Sequence, residues 1–140
     1  MICARRVRHT FCITVMVLIG GLLSSCGTPM TNVDRKAVAQ GKELYHTLAC
    51  DSCHGLDAVG STRTYAPTHN HLRTTAEARI QAADYTGQAT TAAEYIRESI
   101  VDPKAYVVAG YQHLRFGMAS YARLSEHEVN ALVQFLLQQE

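Results

Sequence analysis

Cys50-Asp51-Ser52-Cys53-His54 decides how the rest of this chain is read. It has the form Cys-x-x-Cys-His, the attachment signature of a c-type haem. Each thiol adds to one vinyl group of the macrocycle, and two intervening residues let a helical turn offer both sulfurs to one edge. The adjoining imidazole then faces the iron as proximal axial ligand. One covalent haem c is the expected cofactor, with Cys50 and Cys53 as thioether donors and His54 as an iron ligand. Three other chemistries use such cysteines. A Cys50–Cys53 disulfide would close a tight loop and add little chain-entropy stabilisation. A thioredoxin-like pair needs a βαβ setting, and no strand pattern surrounds the motif. Zinc could draw on Cys50, Cys53, His69 and His71, but His-x-His is tighter than the usual His-x₃₋₅-His spacing.

A second axial ligand must come from elsewhere. Met118 stands in Phe116-Gly117-Met118-Ala119-Ser120-Tyr121, beside a glycine that lets the backbone turn close to a bulky neighbour. Met30 lies before the first helix, so Met118 is the expected distal ligand. Histidine is the alternative, through His69, His71 or His113, and would lower the potential relative to a His/Met pair. Apart from ligation, His69 and His71 read as solvated loop residues or partners for a haem propionate, and His46 and His127 as helix surface. Pro67 follows His54 by thirteen residues. Its carbonyl is placed to accept the Nδ1–H of His54, which sets the tautomer of the ring.

Upstream, Arg5, Arg6 and Arg8 precede an apolar run of about 13 residues from Phe11 to Leu23. This is the architecture of a secretory signal, short of the roughly 20 residues that span a bilayer. The run ends in Leu23-Ser24-Ser25-Cys26, which looks like a bacterial lipobox. Residues 1–25 are therefore expected to be a lipoprotein-type signal peptide. Cys26 is the expected lipidation site, and 26–33 a tether between lipid and domain. Export agrees with the haem motif, because c-type haem is attached outside the cytoplasm. The expected location is periplasmic or extracytoplasmic, anchored by lipid. Removing the three arginines takes the formal charge from +1 to −2. No basic block points to nucleic acid.

From Asp34 onward the pattern is helical. Asp34 is a candidate N-cap, and Val38, Gly41, Tyr45 and Leu48 share one helix face. A glycine in mid-helix costs about 1 kcal/mol against alanine, so Gly41 predicts a close helix crossing. Capping boxes at Thr74–Glu77, Thr91–Glu94 and Ser125–Glu128 predict helices through about Ala83, Val101 and Gln139. In the last, Val129, Leu132, Val133, Leu136 and Leu137 form a stripe. Tyr106-Val107-Val108 is the only piece with a strand-like look. The fold class is all-α, with about four helices and long loops, 55–73 and 103–124. Loops of that length suit wrapping a large apolar group.

These residues together resemble a mono-haem, class I cytochrome c over residues 34–140. The resemblance rests on the helix with Gly41 and Tyr45, then Cys50-x-x-Cys53-His54-Gly55, a loop proline, a loop methionine and a C-terminal helix. It implies that the first and last helices cross at Gly41 against Leu132 and Phe135. The C-terminal third is most similar to the cytochrome c domain fused to subunit II of some haem–copper oxidases. Tyr95–Ile100, Asp102–Tyr111 and the stretch from Met118 through Leu124 to Leu136 carry that likeness. Two positions depart from the family pattern. Ala119 stands where proline usually follows the ligand methionine, and Ala66 stands in place of the glycine before Pro67.

The resemblance implies one-electron transfer in a respiratory or photosynthetic chain, not catalysis. It implies a redox donor and acceptor as partners, with a terminal oxidase or a quinol-oxidising complex as candidates. The competing expectations are a haem enzyme with an open or labile sixth position, and an electron-transfer subunit of a larger membrane complex.

Overall fold

A computed structural model describes residues 34–140. The expected signal 1–25, Cys26, and the tether 26–33 with Met30 lie outside the described residues. Helix α1 (Arg35–Thr47) opens at Asp34, whose Oδ1 accepts from the backbone N–H groups of Lys36 at 3.0 Å and Ala37 at 3.2 Å. It crosses the C-terminal helix α4 (Glu126–Leu136) at Gly41. A methyl group at Gly41 would lie 2.6 Å from the carbonyl carbon of Ala131 and 2.7 Å from Phe135 Cβ. Phe135 is thus one predicted partner. The Ala131 backbone meets Gly41 as well, and Leu132 packs in the same core as Tyr45 of α1.

Between these helices run β1 (His54–Leu56), β2 (Ser61–Thr64), α2 (Leu72–Arg79) and α3 (Ala92–Val101). The two strands pair antiparallel, with His54 opposite Thr64 and Leu56 opposite Ser61. They are three and four residues long, too short to carry an alternating pattern. Tyr106-Val107-Val108 forms no strand. The fold is otherwise helical, as expected. Buried Tyr45, Leu72, Ala76, Tyr95, Ile96, Ile100, Val129, Leu132, Val133 and Leu136 join all four helices in one core.

Two of the three capping boxes form. Thr91 and Glu94 exchange their bonds at the start of α3, and Ser125 and Glu128 do so at α4. The Thr74 box does not. Helix α2 starts three residues earlier, at Leu72 with His71 in the N-cap position, because Leu72 and Ala76 are the pair it buries. Thr74 Oγ1 then sits inside the first turn and donates to the carbonyl of His71 at 3.1 Å. The helix also ends at Arg79, short of Ala83. Helix α4 ends at Leu136, and i→i+3 bonds tighten the chain through Gln139. Among the described residues no helix is long and apolar enough to cross a membrane.

Candidate haem-binding site

Helix α1 stops at Leu48, and Ala49 takes a left-handed conformation, φ 55° and ψ 32°. That reversal feeds a 3₁₀ turn over Cys50–Ser52, which sets both thiols on one short loop. Cys50 and Cys53 are both free and half-buried. Burial, helped by the carboxylate of Asp51, pushes the Cys50 thiol up to about 11, so it is protonated near neutral pH.

His54 is buried on β1. Its Nδ1–H donates to the carbonyl of Pro67 at 2.7 Å. A proline carbonyl can only accept, so the proton of the neutral ring is on Nδ1 and the lone pair on Nε2. Burial lowers the His54 pKa below the ordinary 6.5 against the pull of that hydrogen bond, and the charge of Arg79 adds to the lowering. The ring is therefore held in the neutral tautomer that binds a metal through Nε2. The Pro67 segment is fixed by the backbone. Ala66 N–H donates to Cys53 O at 3.0 Å, and His69 N–H to Gly55 O at 2.8 Å. Gly55 is needed here, because a methyl would lie 2.7 Å from Arg63 O across the hairpin.

These residues open onto a cavity of about 500 Å³, within the range of sites that enclose a small molecule or cofactor. Cys50, Cys53, His54, Pro67 and Met118 all line it, and loop residues Tyr106, Val107, Val108, Tyr111 and Leu114 form an apolar wall. The Met118 segment is fastened on both sides. Tyr65 donates its hydroxyl to Phe116 O and accepts from Phe116 N–H, both at 3.2 Å. Tyr121 donates to Leu48 O at 3.1 Å, and Ser120 donates to Val101 O. His113 and His71 do not line the cavity. His69 does, but on the side of His54: the two rings stack with centroids 3.9 Å apart and 18° between planes. Burial first, then the charges of His54 and Arg79, hold its pKa well below 6.5. It is neither the solvated loop residue expected nor placed opposite His54. Among the described residues no three His, Cys, Asp or Glu side chains gather around a common point, so the zinc set is not assembled.

Sequence reasoning missed Arg79. It lines the cavity, and its Nη1 donates to the Tyr95 hydroxyl at 3.1 Å. Among the described residues no carboxylate pairs with it. A cation without a carboxylate partner on the wall of a largely apolar cavity, which Lys104 also lines, suits a ligand that brings its own carboxylates, as haem does through its propionates. Two free thiols, a neutral imidazole, a thioether and a guanidinium lining one cavity together fit that group.

The fold and the site define a domain built to hold one haem through the chain itself. The Cytochrome c family model matches residues 38–140, and the chain belongs to that family. None of the curated proteins compared with it matches. It is a class I c-type cytochrome that binds one covalent haem c, a haem-based electron carrier working between redox partners.

Proposed function

We propose that this chain is a lipid-anchored cytochrome c with His/Met axial ligation, which passes one electron at a time between membrane-associated redox proteins. The observation that carries this reading is the shared cavity: His54, its Nδ1 bonded to Pro67 O, and Met118, fastened by Tyr65 and Tyr121, line the same space. Cys50 and Cys53 would supply the thioether sulfurs, His54 Nε2 and Met118 Sδ would be the iron ligands, and Arg79 would pair with a propionate. Haem supplies an iron that cycles between ferrous and ferric states. With His54 and Met118 both bound, the iron would have no open position for oxygen or peroxide. His54 Nδ1 would keep its proton, donated to the Pro67 carbonyl, whichever charge the iron carries.

The anchoring rests on the sequence. The basic flank, short apolar run and Leu23-Ser24-Ser25-Cys26 support export and acylation of Cys26. Two or more acyl chains give stable attachment, and tethering raises the local concentration of partners in the same membrane. The formal charge of −2 without the signal leaves little long-range electrostatic steering, and a terminal oxidase or a quinol-oxidising complex is the candidate partner class. The test is expression with periplasmic haem maturation, followed by oxidised and reduced absorption spectra and membrane fractionation. A c-type reduced spectrum, the weak far-red sulfur–iron band in the ferric form, and release from membranes by Cys26→Ala are expected. A c-type spectrum without that band would move the sixth ligand away from Met118 and bring an enzyme with an open site forward.

A further inference from the structure

His69 does more than fill space beneath His54. An aliphatic side chain would occupy the volume, but it would present no flat face and need no polar partner. Here an imidazole lies face to face with the His54 ring, 3.9 Å away and tilted by 18°. It is gripped from behind by Tyr45, which is completely buried in α1. The Tyr45 hydroxyl and His69 Nδ1 are 2.9 Å apart. The hydroxyl has no other partner among the described residues, so the two groups share one hydrogen bond. Tyr45 is itself locked edge-on against Phe135 of α4, with centroids 5.6 Å apart. The His69 backbone is tied to Gly55, the residue after His54. The Pro67 carbonyl holds one edge of the His54 ring, and an edge contact leaves the ring free to tilt. A face contact removes that freedom.

We propose that His69, oriented by Tyr45, is a positioning residue that sets the plane of the axial His54 imidazole. This rests on His54 being an iron ligand, as proposed above. In a low-spin ferric haem the plane of the axial imidazole selects which iron d orbital holds the unpaired electron, and so which pyrroles carry its spin. Neighbours of a ligating histidine tune the metal through such orientation. The Tyr45–His69 pair therefore determines over which part of the macrocycle the transferable electron is spread.

The test is proton NMR of the ferric holoprotein, reading the four haem-methyl resonances, with reduced and far-red absorption recorded on the same samples. His69→Leu and Tyr45→Phe should each change the spread or order of the four methyl shifts while the far-red band persists. His69→Phe keeps a flat face and should stay closer to the parent pattern than His69→Leu. Unchanged methyl shifts in His69→Leu overturn the proposal. Should that variant fail to mature, unchanged shifts in Tyr45→Phe overturn it. Equal displacement by Phe and Leu at position 69 overturns it as well, since the flat face would then be irrelevant. Failure of the underlying ligand assignment is seen separately, in a parent protein without a low-spin c-type spectrum.

Discussion

Gly41→Ala should destabilise the protein even though it improves the helix. Alanine gains about 1 kcal/mol of intrinsic helix propensity over glycine. Against that, the new methyl would overlap the Ala131 carbonyl oxygen outright and lie 2.6 Å from its carbon and 2.7 Å from Phe135 Cβ. Two of these three atoms are backbone of α4, so no rotamer change removes the clash. The helices must separate by roughly 1 Å, close to the half to one ångström gap at which packing contacts lose a quarter to a half of their attraction. Overpacking a well-filled core costs about 1–3 kcal/mol, occasionally more. A backbone obstacle belongs at the upper end, so the net loss should be about 2 kcal/mol. For a domain of this size each kcal/mol moves the midpoint by about 4–8 °C. The expected result is a midpoint about 10 °C lower in a thermal melt of the holoprotein followed by far-ultraviolet circular dichroism. An unchanged or raised midpoint would refute the crossing at Gly41.

Met118→Ala should lose the far-red band, lower the midpoint potential and admit exogenous imidazole, all read by optical titration. Changing both Cys50 and Cys53 to Ala should abolish covalent haem, seen as loss of haem stain after denaturing electrophoresis. Ala49→Gly should stabilise the holoprotein by about 1 kcal/mol in denaturant titration, because a left-handed residue (φ 55°) strains any side chain. The Glu94 and Glu128 carboxyls are held below their ordinary 4.5, chiefly by the hydroxyls of Thr90 and Ser125. A depressed folded-state pKa gives stability that is present above the unfolded value and lost as pH falls through the folded one. Glu94→Gln with Glu128→Gln should therefore lose less stability than the parent below about pH 4.5, measured by denaturant midpoints across that range.

The parts of the fold that could be read from sequence are those with local causes. The Cys50–His54 spacing, the Asp34 cap, the Thr91 and Ser125 boxes and the mid-helix placing of Gly41 each involve near neighbours or a fixed period. The start of α2 is obscured because burial of Leu72 and Ala76 outweighs a capping pattern three residues downstream. The β1–β2 hairpin is too brief for alternation to appear. Arg79, Tyr65 and Tyr121 gave no signal because what they do depends on distant residues: Tyr65 meets Phe116 across 51 positions, and Tyr121 reaches Leu48 across 73. His69 carries the same lesson. Alone in a loop it reads as solvated, and only the fold brings it against His54 and Tyr45.

Axial ligation of the haem by Met118 is the claim on which the carrier reading depends. Proton NMR of the reduced holoprotein tests it most directly, since a methionine bound above the macrocycle has its methyl group strongly shielded by the ring current. One three-proton singlet far upfield of the ordinary methyl region is expected, absent in Met118→Ala. A reduced low-spin spectrum without that singlet, or one in which Met118→Ala leaves it in place, would contradict ligation by Met118.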